Sequence, residues 1–148
     1  MECKQILVPV DGSQSSFCAA SAAIELARAY EAEIEFLNVI SFEGVMAGKN
    51  SADHTSVLED AVVLGRKILE NVLGLVPDGI EARGRCVSGQ AAEAILMAAD
   101  ECHADMIVMG TRGLGTIKSV LLGSVSRSVL ADAKCPVTLV KENVESSR

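Results

Sequence analysis

The sequence predicts an α/β protein whose mainly parallel sheet is covered by helices on both faces. First, short apolar runs of strand length alternate along the chain with longer segments of helical periodicity. Second, several of these runs are almost continuously apolar, as in strands that are buried on both sides. Third, the chain has 148 residues, of which 49% are hydrophobic, enough for one domain with a two-sided core.

The beginning of the chain predicts two strands with a helix between them. Residues 6–10, Ile-Leu-Val-Pro-Val, are continuously apolar and predict a central strand. Ser13 is a plausible N-cap for a helix that ends near Ala32. The apolar stripe of this helix consists of Phe17, Ala20, Ile24 and Ala27. Residues 34–40 predict the second strand.

A long loop and a second helix come next. Residues 41–55 contain two glycines and no sustained periodicity, which predicts a surface loop of a length that often serves function. A helix is predicted over residues 56–75, and Pro77-Asp78-Gly79 ends it. Its predicted inward side consists of Leu58, Ala61, Leu64, Ile68, Val72 and Leu75.

The second half of the chain repeats the alternation. Residues 80–87 carry charged side chains at alternate positions, which predicts an exposed or edge strand. Ser88-Gly89 can open a third helix that ends near residues 100–102. Its inward residues are Ala91, Ala94, Ile95 and Ala98. The remaining predicted elements are a buried strand over 105–109, a helix over 124–133 with Val125, Val129 and Leu130 inward, and a last strand over 137–140.

Charge and composition argue against several classes of partner. The formal net charge of -7 disfavours nucleic acids and anionic membranes, because both require a basic face on the protein. No apolar run reaches the roughly 18 residues of a membrane span, and no signal-peptide pattern begins the chain. The five cysteines form no C-x-x-C pair, and each is interpreted as a small buried apolar residue. We therefore expect a soluble, cytoplasmic protein without a nucleic-acid or membrane partner.

The stretch after the fourth predicted strand carries the strongest functional signal. The strand runs into Gly110, Gly113 and Gly115, and Gly123-Ser124 opens the last helix. Glycines allow a ligand to approach the main chain, and a helix N-terminus presents unpaired N–H groups. Together these parts predict an anion site, most often one for phosphate. The alternative is that the glycines only shape a turn and a helix cap, while Ser124 is merely an N-cap.

Side chains near this loop favour binding over catalysis. Ser124 and Ser126 offer hydroxyl donors, and Arg112 could meet an outer phosphate with its guanidinium fork. The P-loop and G-x-G-x-x-G patterns both fail at Lys118, which disfavours an ordinary NTPase or dehydrogenase. Phosphoryl transfer would have only Asp11, with a bound Mg²⁺, and Arg112 to use. We expect slow hydrolysis at most.

The complete spacing resembles that of a known family. Gly110-x-x-Gly113, nine further residues and Gly123-Ser124 stand between Ile-Leu-Val-Pro-Val-Asp-Gly-Ser near the start and Ala-Lys-Cys-Pro-Val-Thr-Leu-Val near the end. With this combination the chain resembles the universal stress protein family from residue 4 to residue 140. The resemblance implies a Rossmann-like, open five-stranded parallel sheet in the order 3-2-1-4-5, with ATP bound at the ends of strands one and four.

The resemblance also implies roles for individual residues. The glycines of the motif and Ser124 would hold the phosphates and ribose. Asp11 would lie beside the ribose or a metal ion, Mg²⁺ or Mn²⁺, and Val39 would meet the adenine. Asp11 can also act as a capping acid for the first helix, a role that needs no ligand. The full set of residues expected to bind ATP is Pro9, Val10, Asp11, Val39, Met109, Gly110, Arg112, Gly113, Gly123, Ser124, Val125 and Ser126.

We therefore expect a nucleotide-dependent regulatory protein of the stress response, in which ATP occupancy changes the glycine loop and the loop over residues 41–55. Two alternatives are a slow ATPase or phosphate donor, and a nucleotide-free dimeric interaction module. The last strand would lie at a sheet edge, and an unpaired apolar edge favours pairing into a homodimer, as the resemblance also implies. That strand consists of Val137, Thr138, Leu139 and Val140.

Overall fold

Strands and helices alternate along the chain in a computed structural model that describes residues 1–41, 54–112 and 122–142. Within these ranges the strands are β1 (Gln5–Pro9), β2 (Glu33–Ile40), β3 (Ala82–Ser88), β4 (Met106–Gly110) and β5 (Val137–Val140). The helices are α1 (Gln14–Tyr30), α2 (His54–Leu73), α3 (Ala91–Glu101) and α4 (Ser124–Asp132). None of these helices combines the length and the apolar content that crossing a membrane requires.

The five strands form one parallel sheet in the order β3-β2-β1-β4-β5. The predicted α/β class and strand order are confirmed. Strands β2 and β3 lie on one side of β1, and strands β4 and β5, which come later in the chain, lie on the other side. The strand order therefore reverses between β1 and β4, where parallel sheets of this kind leave a crevice beyond the carboxyl ends of the strands.

Two hydrophobic cores cover the two faces of the sheet. Ile6 and Val8 of β1 lie in the core beneath α1 and α2, whereas Leu7 lies in the core beneath α3 and α4. This alternation follows from the two-residue period of a strand. Because both faces are covered, the central strands are apolar on both sides.

Helix α1 lies close to the sheet because its inner face is built from small residues. Ala19, Ala20, Ala23 and Ala27 are all at most 1% exposed. Ser13 is the N-cap, as predicted, and its Oγ accepts a hydrogen bond from the backbone N–H of Ser16 at 3.1 Å. Phe17, which the sequence places on the apolar stripe, is only partly buried at the edge of this core.

The inward faces predicted for two other helices were partly wrong. In α2, Leu64 is 56% exposed, and Leu75 lies beyond the helix end and is 50% exposed. The position toward the sheet belongs instead to Gly65, which leaves room for a polar side chain of β2. In α4, Leu130 is 47% exposed, because this nine-residue helix buries only Ser126 and Val129.

The charged residues of β3 have a partner inside the sheet. Glu35 of β2 is only 3% exposed, and its carboxylate accepts from Arg83 Nε at 2.8 Å and lies 3.2 Å from Arg85 Nε. Arg85 continues to Glu101 of α3 at 2.7 Å. The predicted edge position of β3 is confirmed, and these ion pairs join the outer strand to the strand that leads to the cleft described next.

Candidate functional site

A cleft of about 480 Å³ opens beyond the carboxyl ends of β1, β2 and β4, a volume typical of small-molecule sites. Every residue that is predicted to bind ATP and that the structure describes lines this cleft. Those residues are Pro9, Val10, Asp11, Val39, Met109, Gly110, Arg112, Gly123, Ser124, Val125 and Ser126. Gly113, Gly115, Lys118 and most of the loop predicted over residues 41–55 lie outside the described residues.

Sequence reasoning missed five further residues of the cleft: Ser16, Leu37, Ser41, Ala91 and Ile95. Leu37 could have been found, because it lies two residues before Val39 and so shares its face of the strand. Ala91 and Ile95 were predicted only as inward-facing core residues of a helix. With Met109, these side chains give the cleft an apolar floor.

The turn between β1 and α1 forms one wall. The backbone N–H of Ser13 donates to Asp11 Oδ1 at 2.9 Å, and the backbone N–H of Asp11 donates to Ser16 Oγ at 3.3 Å. Gly12 has a φ of +87°, a left-handed conformation that glycine adopts without strain. Asp11 therefore stabilises the start of α1 while it lines the cleft, so its capping and ligand roles are compatible.

The opposite wall is fixed by contacts within the protein. A Cβ atom on Gly110 would lie within 2.9 Å of three atoms of Ser15, so this glycine is required by the close approach of α1. The Ser126 hydroxyl donates to the Gly110 carbonyl at 2.9 Å, and the Gly123 N–H donates to the Thr111 carbonyl at 2.7 Å. These bonds hold the start of α4 against the end of β4.

The N-terminus of α4 supplies the positive end of the cleft. Its N-cap is Gly123, which provides no side-chain cap, whereas α1 and α3 are capped by the side chains of Ser13 and Gln90. The backbone N–H groups of the first turn and the helix dipole both favour an anion. Arg112 adds a guanidinium group that lies 3.9 Å from the Glu142 carboxylate.

Because apolar side chains and the uncapped N-terminus of α4 line the same cleft, it suits a ligand with a flat apolar part and a charged part. The model of the Universal stress protein family matches residues 2–141. The chain belongs to this family. A universal stress protein of Thermus aquaticus is 37% identical over 139 residues, which cover 93% of this chain and 98% of that relative.

Solved structures agree with this universal stress protein assignment. The structure of hypothetical protein MJ0577 has a TM-score of 0.85 at 24% identity, covering 97% of this chain and 99% of that one, and so shows the same fold. A universal stress protein solved in complex with cAMP has a TM-score of 0.65 at 28% identity, covering 97% of this chain and all of that one. That relative therefore binds an adenine nucleotide.

In this universal stress protein all five cysteines are free thiols. Cys3 is buried, and the others are partly buried, broadly as the sequence predicts. Burial raises the pKa of the Cys3, Cys86, Cys102 and Cys135 thiols. These four side chains therefore keep their protons at neutral pH and are poor nucleophiles there.

Proposed function

We propose that this universal stress protein binds an adenine nucleotide, ATP, in the cleft and acts as a nucleotide-dependent regulatory protein of the stress response. One observation carries the proposal: the side chains lining the cleft are apolar at the floor, and the N-terminus of α4 meets the same cleft without a side-chain cap. A purine ring suits the first environment, and phosphate suits the second. The cAMP complex of a relative supports the adenine part.

Different lining residues suit different parts of the nucleotide. Val39 and Leu37 offer apolar contact to the base at the end of β2. Ser124 and the first-turn N–H groups of α4 donate to phosphate oxygens, and Arg112 adds a charge-assisted bond at the cost of its contact with Glu142. Asp11 accepts from a ribose hydroxyl or binds Mg²⁺ or Mn²⁺.

Asp11 fits a metal ion only as one ligand among several. In the part of the chain that the structure describes, no three His, Cys, Asp or Glu residues come together as a metal site. A Mg²⁺ ion commonly takes one or two carboxylates and completes its shell with phosphate oxygens and water. Asp11 would therefore hold the ion only together with the nucleotide.

A regulatory role is preferred to a catalytic one because the described cleft residues contain one carboxylate, Asp11, and no histidine. Rapid hydrolysis requires a group that orients the attacking water as well as cations on the leaving oxygens. We also propose a cytoplasmic location, which the free thiols support because such thiols persist in reducing compartments.

Replacing Val39 with phenylalanine is expected to weaken ATP binding at least tenfold, because the larger ring occupies the space proposed for the base. Isothermal titration of the full chain with ATP, AMP and cAMP provides the measurement and ranks the nucleotides. Val87→Phe is the matched control. Val87 pairs with Val39 in register on the neighbouring strand and belongs to the same core, but it does not line the cleft.

The control variant should bind ATP within about twofold of the wild type. A wild type that binds none of the three nucleotides would contradict the proposed function. Equal affinities in the wild type and the Val39→Phe variant would show that the nucleotide binds elsewhere. Turnover under saturating Mg-ATP, compared with Asp11→Ala, tests the alternative of an ATPase.

We further propose a homodimer that forms through β5. Among the described strands, β5 lies at the edge of the sheet and pairs with β4 alone, and its four residues, Val137, Thr138, Leu139 and Val140, are partly buried. An edge of this kind can pair with a second copy of the chain. Leu139→Lys should then convert the dimer into a monomer, because the lysine ammonium group would have to be buried in the interface. Light scattering should measure a mass of 15.5 kDa for this variant.

Leu130→Lys is the control for this experiment, since Leu130 is an exposed leucine on α4. It should leave the mass unchanged. A monomeric wild type would refute the proposed dimer. If Leu130→Lys dissociates the dimer and Leu139→Lys does not, the interface is at α4 and not at β5.

A further inference from the structure

A buried amide lies next to the cleft, on the face of β2 opposite to the cleft-lining side chains of Leu37 and Val39. Asn38 stands between Leu37 and Val39, which both line the cleft, and the strand period turns its side chain to the opposite face, toward α2. The residue is only 6% exposed. A polar side chain in such a place needs hydrogen-bond partners.

Both ends of the Asn38 amide have partners. Nδ2 donates to the Val10 carbonyl at 2.9 Å, and Oδ1 accepts from the Cys86 thiol at 3.7 Å. Cys86 is the register partner of Asn38 on β3. Because burial raises the pKa of Cys86, the thiol keeps the proton that it donates. The thiol and the carbonyl together decide which way the amide points.

The bond to Val10 acts on the wall of the cleft. The carbonyl of Val10 and the N–H of Asp11 belong to one peptide group, which is planar and rigid. Asn38 holds its carbonyl from one side, and Ser16 Oγ accepts from its N–H at 3.3 Å on the other. The Val10 N–H is held as well, by the Leu37 carbonyl at 2.8 Å. These hydrogen bonds favour a single orientation of the Val10–Asp11 peptide group, and the bond from Asn38 is one of them.

We propose that Asn38, oriented by Cys86, is a positioning residue for the cleft, and that it fixes the Val10–Asp11 peptide in the orientation that nucleotide binding needs. The inference rests on the proposed function, because Asn38 itself lines no part of the cleft. Its effect on a ligand passes through Val10 and Asp11, which do line it.

The test compares wild type with Asn38→Leu and Asn38→Ala in the full-length chain. Neither replacement can donate to the Val10 carbonyl, and leucine keeps the branched shape of the asparagine side chain. ATP affinity measured by calorimetry should fall about tenfold in each. Amide hydrogen exchange of Asp11 in the ligand-free protein should become faster, because its peptide is released on one side.

Val72→Ala separates positioning from general stability. Val72 is fully buried in the core between α2 and the sheet and lines no part of the cleft, so its truncation lowers stability without moving the Val10–Asp11 peptide. It should leave both ATP affinity and Asp11 exchange unchanged. A second pair of variants covers the case in which the Asn38 changes prevent folding. Cys86→Ser keeps a donor and should bind ATP like wild type, whereas Cys86→Ala should bind several-fold more weakly.

Wild-type affinity in folded Asn38 variants, or Asp11 exchange that does not change, would overturn the inference. If the Asn38 variants do not fold, equal ATP affinities in the two Cys86 variants would overturn it instead. A wild type that binds no nucleotide would refute the proposed function, while the exchange measurement would still report on the peptide. The two failures are therefore distinguishable.

Discussion

Replacing Gly110 with alanine is expected to destabilise the protein by about 3 kcal/mol, near the upper end of the cost of overpacking a core. The added Cβ atom would overlap Ser15 Oγ and lie 2.8 Å from the Ser15 backbone carbon. Ser15 is completely buried in α1, so the helix cannot yield without moving against β4. Urea unfolding followed by circular dichroism measures the loss.

Gly84→Ala is the matched control because Gly84 also lies within a strand. Its added Cβ atom would approach Leu73 and Leu69 at 3.3 to 3.4 Å, and leucine side chains can move by the few tenths of an ångström required. We expect a change within about 1 kcal/mol. Adding Ser15→Ala to Gly110→Ala should recover part of the loss, because the closest contact disappears. If Gly110→Ala is as stable as Gly84→Ala, the close approach of α1 is not what requires this glycine.

Gly110 also shows why a motif position can have two physical causes. The family resemblance assigns it to the nucleotide, and the cleft includes it, but the contact with Ser15 requires a glycine even in the absence of a ligand. Ser126 is similar, since its hydroxyl already donates to the Gly110 carbonyl. The side chain of Ser126 thus supports the wall, whereas Ser124 at the helix start is exposed and can face a ligand.

The fold was largely predictable because its signals are local. Continuous apolar runs mark the buried strands, and the ends of elements are marked by residues such as Ser13 and Pro77. The strand order is a different matter, since residues alone only allowed the fourth strand to lie beside the first. The order came from the family resemblance, which carries information about long-range pairing that periodicity lacks.

Most residues of the candidate site were also predictable from the family resemblance. The side chains whose positions were predicted wrongly, or not at all, are those that depend on tertiary contacts. Leu64 and Leu130 were expected inside because helical spacing cannot tell which of two adjacent apolar stripes faces the sheet. Gly65 could not be recognised from the sequence, because a glycine within a helical pattern only argues against the helix. The structure explains this glycine, because a side chain at position 65 would collide with the buried side chain of Asn38.

Gly65→Ala is expected to have opposite effects in two backgrounds. In the wild type its Cβ atom would overlap Asn38 Oδ1, and the Asn38 amide is hydrogen-bonded at both ends, to Val10 and to Cys86. The overpacking should exceed the gain of about 1 kcal/mol that alanine brings to a helix interior, leaving the protein about 1 to 2 kcal/mol less stable. In the Asn38→Ala background the oxygen is absent, so the same change should stabilise by about 1 kcal/mol.

Urea unfolding of the four proteins closes a double-mutant cycle, with an expected coupling of about 2 to 3 kcal/mol. Both proteins that carry Asn38→Ala lack the hydrogen bond to the Val10 carbonyl, so this loss cancels from the coupling energy. The 3.3 Å approach of the new Cβ atom to Cys86 Sγ occurs in both proteins that carry Gly65→Ala, so it cancels as well. Gly74→Ala is the control, because its Cβ atom would meet only ordinary contacts of 3.4 to 3.5 Å with the backbone and its effect should be the same in both backgrounds. If Gly65→Ala changes the free energy of unfolding in the same direction in both backgrounds, the prediction is wrong. That result would mean that α2 can move away from the sheet and that Asn38 is not held in one place.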